Sequence, residues 1–124
     1  MTWTKQVRGV RGATTIENDT RDDVVQRVTE LLGALCERNG LRETDIVSIL
    51  FTATDDVHSV FPATAARELG FGDVPLICAR ELDIVDATPR CLRVLITART
   101  RRRQDQVAHV YQYGAANLRN DLTK

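Results

Sequence analysis

Hydrophobic and polar positions divide this chain into short elements. Residues 7–16 read as a first strand, with Gly9 and Gly12 allowing close backbone approach. Thr20 then offers a helix cap, with Asp22 and Asp23 behind it at the positive end of the dipole. Val24, Val25, Val28, Leu31, Leu32 and Leu35 recur at helical spacing and make one apolar face. Asn39-Gly40 ends that helix. Asp45 leads into IVSILFTAT, a strand apolar on both faces near its middle, as a central strand requires. Residues 55–60 form a loop. Pro62 suits the first turn of a short helix over 63–69 that stops at Gly70. Gly72-Asp73 turns the chain into a third strand, VPLICARE, and residues 83–90 form a connection containing Pro89. Residues 91–100, CLRVLITART, form a fourth strand, followed by a charged loop over 101–105. Over 107–113 alternation and helical spacing tie, so a short strand and a turn of helix remain open. From Gly114 the pattern is irregular, and the end of the chain is expected to be mobile.

The order β-α-β-α-β-β-β shows no repeat and no internal linker. It predicts one domain over residues 1–124, an α+β or α/β fold in which one long and one short helix cover one face of a mixed five-stranded sheet. The second and fourth strands would make the other face apolar as well, and nothing in the chain is long enough to cover it. Self-association through the sheet, as a closed ring, is the expected solution.

Composition narrows the class. The 124 residues suffice for one ordinary domain, and 43% are hydrophobic, which suits a packed core. Seventeen basic and seventeen acidic residues cancel, which speaks against nucleic acid as a partner. Fifteen of the basic residues are arginine, whose planar fork fits carboxylates and phosphates. Codon bias in a GC-rich genome accounts for most of that excess; only the arginines at strand ends merit a functional reading. No apolar run reaches membrane-spanning length, and MTWTKQV lacks a secretion signal. Cys36, Cys78 and Cys91 show no CxxC spacing, so free thiols in a reducing, cytoplasmic setting are expected. His58 and His109 lie far apart, and no metal site is expected.

Four pieces carry candidate chemistry. In RGVRGATT, Arg8 and Arg11 are three apart and project to opposite faces of a regular strand, so both cannot enter one pocket. In HSVFPATAARELG, Phe61 before Pro62 offers an apolar wall and Arg67 rides the short helix; taken alone, a solvated Arg67 is the better account. In PLICARELD, Glu81 stands at a strand end, placed either to pair with Arg80 or to accept from a ligand hydroxyl, while Cys78 lacks a neighbouring histidine to activate it. In RCLRVLIT, Arg93 lies within an apolar strand, where an arginine must be paired, face a cavity or remain wet near the strand start. RTRRR, at 99–103, reads as a solvated loop.

Taken together, RGVRGATT, TATDDVHSVFPATAAREL, PLICARELD, CLRVLIT and QDQVAHVY, in this order and spacing, resemble the small monofunctional chorismate mutases of the AroH type over residues 7–122. The resemblance implies a homotrimeric pseudo-barrel of mixed sheets with active sites in clefts between subunits. It implies rearrangement of chorismate to prephenate, on the way to phenylalanine and tyrosine, with no metal and no cofactor. Carried over by position, Arg11 matches an arginine that binds a substrate carboxylate. Phe61, Ala63 and Arg67 match residues from a neighbouring subunit. Cys78 and Glu81 match the pair around the ring hydroxyl, and Arg93 the arginine beside the ether oxygen. Tyr111 matches a tyrosine lining the pocket, and Leu118 an apolar contact near a flexible tail. Thr64 stands where some members carry lysine, and Ile77 where threonine is common.

The implied reaction is pericyclic and needs no nucleophile or proton transfer, in keeping with the absence of a serine–histidine pair or phosphate loop. Two other readings use similar arginines: an imine deaminase of the Rid type, and a non-catalytic metabolite-binding protein with its site between subunits. CARELD and the Tyr111 context fit the deaminase less well.

Overall fold

A computed structural model of the chain describes residues 3–118. Its regular elements are β1 (Gln6–Thr15), α1 (Arg21–Asn39), β2 (Ile46–Ala53), α2 (Pro62–Glu68), β3 (Leu76–Arg80), β4 (Cys91–Thr100) and β5 (Val110–Tyr111). The strands form one sheet in the order β3-β2-β4-β1-β5. β4 pairs antiparallel with β1 and β2, while the outer pairs β2–β3 and β1–β5 are parallel. The sheet is therefore mixed, as the pattern predicts. β4 holds its centre, with β2 and β1 on either side, and all three strands are interior.

α1 begins where expected. The Thr20 hydroxyl accepts from the Asp23 N–H at 3.2 Å, and Gly40 ends the helix in the left-handed region at φ 61°. Its stripe of Val24, Val28, Leu31, Leu32 and Leu35 is buried against Val10 of β1, Ile49 and Phe51 of β2, and Leu92, Val94 and Ile96 of β4. The helix sits close because β1 carries glycine beneath it. A Cβ on Gly12 would lie 2.8 Å from Leu35 Cδ1 and 3.1 Å from both Leu31 Cδ1 and Val94 Cγ1. α2 adds Ala63, Ala65 and Ala66 to the same core. Both helices thus lie on one face of the sheet.

The other face is the open one that the pattern anticipates. Val7, Ile77 and Leu95 stand there 58%, 64% and 41% exposed. Among the described residues, no helix is long and apolar enough to cross a membrane.

The elements depart from expectation in three places. β3 ends at Arg80, so Glu81 stands just past it, although its N–H still donates to Ala53 O at 3.0 Å. The ambiguous 107–113 stretch becomes a two-residue strand between single 3-10 turns at Gln104–Gln106 and Tyr113–Ala115. The buried side chain of Asn39 decides this. Its Nδ2 donates to Ala108 O at 2.8 Å, and its Oδ1 accepts from Ala108 N at 2.8 Å. The chain is thereby clamped alongside β1, where Arg11 N also donates to His109 Nδ1 at 2.9 Å. The irregular tail begins with the ordered turn at Tyr113–Ala115, and the expected mobile end beyond Leu118 lies outside the described residues.

A second tie joins the start of β1 to the start of β2. Asp45 accepts from Lys5 Nζ at 2.7 Å and from Arg42 N at 2.9 Å. The Lys5 hydrogen bond, with Arg42 behind it, holds the Asp45 carboxyl below its ordinary value of 3.8. A carboxyl depressed in the folded state stabilises the fold above its ordinary value and ceases to do so as pH falls through the folded one. Asp45→Asn is expected to cost about 1–2 kcal/mol near pH 7. Chemical denaturation at several pH values checks this: the gap to the unmodified chain should close as pH falls from about 4 toward 2. A gap constant over that range would contradict the assignment.

Candidate active site

Strand parity places the first group of side chains. Register pairs Arg11 with Leu95 and Ala13 with Arg93 across β1–β4, and Thr52 with Arg93 across β2–β4. Gly12 and Val94, one residue along, face α1. Arg11 and Arg93 therefore both stand on the open face, as diagonal neighbours. Arg8, three residues before Arg11, pairs with Ala98 and turns to the helix side, where its Nε donates to Arg102 O at 3.2 Å. The two arginines of RGVRGATT do diverge. Tyr111 joins Arg11 and Arg93 because β5 pairs it with Ala13.

Glu81 reaches the same place from the end of β3. Its Oε2 accepts from Thr52 Oγ1 at 2.8 Å, and its Oε1 accepts from Leu82 N at 3.1 Å. Arg93 Nε lies 3.5 Å from Glu81 Oε2, with the arginine side chain 48% exposed and the carboxylate 23%. The pairing of Glu81 with Arg80 that the sequence allows does not form, because Arg80 is taken by Asp55, with two contacts of 2.5 Å. That leaves Glu81 facing Arg93. Arg11, Thr52, Glu81, Arg93, Leu95 and Tyr111 line a cleft of about 210 Å³. Its floor is apolar and its polar groups are two guanidiniums, one carboxylate, one phenol and the Thr52 hydroxyl. Such a cleft holds a small polyanion and supplies a fixed cation at its centre.

The second group lies apart. Cys78 pairs with Phe51 and packs against the helix-side core, one strand residue out of phase with Ile77 and Ala79. It lines a larger cavity, of about 850 Å³, together with Phe61, Pro62, His58, Val60 and Arg80. Phe61 stands 70% exposed at the mouth of α2. Its loop is held by Asp19, which accepts from His58 N at 2.8 Å and Ser59 N at 3.0 Å. Ala63 gives its methyl to the core, and Arg67 is exposed on α2. The two cavities share no lining residue. One chain thus brings Arg11, Glu81, Arg93 and Tyr111 together, and does not bring Phe61, Ala63, Arg67 or Cys78 to them. Leu118 packs with Tyr111 around Ala13, Cys91 and Ala115, beside the cleft.

Cys36 and Cys91 are structural in character. Burial pushes the Cys36 thiol up. Burial likewise raises Cys91, against a smaller opposing pull from Arg93. Both stay protonated near neutrality.

Three contributors went unread in the sequence. Thr52 holds Glu81, and its only signal was a hydroxyl in an apolar strand, on the face that register gives to Arg93. Asn39 read as a helix end yet clamps the segment that carries Tyr111. Asp56 accepts from Arg90 N at 2.9 and 3.1 Å and from Thr54 Oγ1 at 2.6 Å, setting the entry to β4. An aspartate in a polar loop gives no such hint.

Residues 7–122 match the family model described as chorismate mutase type I. The chain is 43% identical over 118 residues to the chorismate mutase AroH of Bacillus subtilis, covering 94% of this chain and 93% of that one. It is 44% identical over 117 residues to the chorismate mutase AroH of Thermus thermophilus, covering 94% and 96%. A solved chorismate mutase from Clostridium thermocellum superimposes with a TM-score of 0.84 at 40% identity, covering 86% of this chain and 96% of that one. With nearly its whole length matched in sequence and its sheet and helices matched in space, this chain belongs to the type I chorismate mutase family.

Proposed function

We propose that this chain rearranges chorismate to prephenate in a site completed between copies, with the open-face cleft as its charged half. The observation that carries the reading is the placement of Arg93. It stands at the centre of the sheet, on the open face, beside a carboxylate that is itself held by Thr52 and Leu82. The rearrangement breaks an ether C–O bond and forms a C–C bond within one molecule. Negative charge builds on the ether oxygen as the bond opens. Arg93 donates to that oxygen; a donor already in position stabilises the charge without reorganisation at the moment of reaction.

The other groups hold the substrate. Arg11 and Tyr111 take a carboxylate each from one side, and this fixes the flexible dianion in its compact reactive shape. Glu81 accepts from the ring hydroxyl and orients Arg93. Phe61, Ala63, Arg67 and Cys78, which sit apart from this cleft within one chain, meet it from a neighbouring copy. Leu118 closes the apolar rim. The exposed Val7, Ile77 and Leu95 of the open face are buried when three copies close a ring. The family match favours this reading over the imine deaminase and the metabolite-binding protein.

Two measurements test it. Arg93→Ala should lower kcat by about 10²–10³, some 3–4 kcal/mol, while circular dichroism stays unchanged. Arg93→Lys should rescue poorly, because an ammonium on a flexible stem lacks the planar fork that reaches Glu81 and the ether oxygen in one fixed geometry. Chorismate loss followed by ultraviolet absorbance reads both, and a near-normal kcat for the lysine variant would overturn the assignment. Light scattering on the purified chain should give three times its 13.9 kDa. A monomer at micromolar concentration would remove the neighbouring half of the site.

A further inference from the structure

The segment that delivers Tyr111 and Leu118 to the cleft has little regular structure of its own. β5 is two residues long. Upstream it is secured by the Asn39 clamp on Ala108. Downstream, Gln112 N donates to Ala13 O at 2.9 Å, and the chain then bends sharply at Tyr113. Tyr113 adopts φ 52°, in the left-handed region, without being glycine. Such a residue costs roughly 1–2 kcal/mol of local strain and persists only where its surroundings over-determine it.

Here the surroundings are two side chains one turn apart on α1. Tyr113 Oη donates to Glu30 Oε2 at 2.5 Å. The Arg27 guanidinium carbon lies 3.6 Å from the centre of the Tyr113 ring. Arg27 is itself fixed, because its Nη1 donates to Thr15 O at 2.6 Å. The hydrogen bond to Glu30 raises the Tyr113 hydroxyl above its ordinary value, so it remains a donor across the physiological range. The next residue completes the bend. Gly114 N donates to Thr15 Oγ1 at 3.0 Å, and a Cβ there would stand 2.9 Å from that oxygen. Beyond it the turn lays Ala115 and Leu118 beside Tyr111 over Ala13 and Cys91.

We propose that Tyr113, latched to Glu30 and Arg27 of α1, is a positioning residue that sets substrate affinity by holding Tyr111 and Leu118 against the cleft. The inference rests on the reading of that cleft as the chorismate site. Tyr113 itself points to the helix and away from substrate. Its effect is transmitted through the two residues it places, and is felt in binding more than in the bond-breaking step, which belongs to Arg93.

The test uses Tyr113→Ala and Tyr113→Phe in the full chain. Tyr113→Ala should raise KM for chorismate about tenfold while kcat changes by less than about threefold. Tyr113→Phe keeps the ring over Arg27 and loses the hydroxyl, so it should fall between. In a Tyr111→Ala background one of the two positioned residues is gone and only Leu118 remains to be held, so the effect of Tyr113→Ala on KM should shrink to about threefold or less. Hydrogen exchange at the Gln112, Ala115 and Ala116 amides should quicken in Tyr113→Ala, independently of any substrate. If KM is unchanged in both variants, or the Tyr113→Ala effect multiplies undiminished in the Tyr111→Ala background, the positioning role is overturned. An unmodified chain that leaves chorismate intact overturns the reading of the cleft itself, and this inference with it.

Discussion

The β1–β4 ladder is the constraint on which the rest depends. Ten consecutive residue pairs run from Gln6–Thr100 to Thr15–Cys91 without a slip. Because side chains alternate along each strand, this register sends Val10, Gly12, Leu92, Val94 and Ile96 beneath α1, and Arg11 and Arg93 to the opposite face. A slip of one residue in either strand would turn that strand's guanidinium into the helix-side core and leave its buried apolar side chains in solvent. Hydrophobic burial of one face therefore fixes the electrostatics of the other. Gly12 strengthens the link, since its missing side chain lets α1 close on the ladder and hold it in phase.

The same alternation divides the residues that the family resemblance assigns to one site. β3 is parallel to β2, and its register turns Cys78 to the helix side while Glu81, past the strand end, faces the open side. Phe61 and Arg67 ride on α2, away from the cleft. One chain carries two separate half-surfaces: one rich in fixed charge, the other apolar and close to α2. Their separation within a chain and the apolar exposure on the open face both fit the proposed assembly, in which copies would supply what each lacks. The contacts of Tyr113 with α1 supplement a two-residue strand that alone would hold Tyr111 only loosely in register.

Much of the fold was legible in the chain, for physical reasons. α1 carries a long helical stripe between a hydroxyl cap and an Asn-Gly stop, so both its ends and its buried face read directly. β2 reads as apolar on both faces near its middle and β4 as nearly all apolar, which marked them as interior, although their relative order depends on pairing that no local pattern encodes. The opposed directions of Arg8 and Arg11 followed from their spacing alone. The 107–113 segment stayed ambiguous because its conformation is imposed from outside, by Asn39 sixty-nine residues away from Ala108. The cleft was legible only in part. Arg93 stood out as a charge in an apolar strand, whereas Glu81 read only as a partner for Arg80 or a ligand hydroxyl, and its approach to Arg93 depended on Asp55 capturing Arg80. Thr52, Asp56 and Tyr113 gave no warning, since each acts through a contact made only in the folded chain.

The central claim is that a working site needs the charged half of one chain and the α2 half of another. Mixed assembly tests it most directly. A chain carrying Arg93→Ala is co-refolded in equal amount with a chain carrying both Phe61→Ala and Arg67→Ala, and chorismate turnover is measured at low substrate. If halves come from different copies, one junction in four pairs two intact halves, and activity should recover to about a quarter of the unmodified level. Activity that stays at the level of the separate variants, with mixed assemblies demonstrably formed, would show that each site lies within a single chain and would contradict the account.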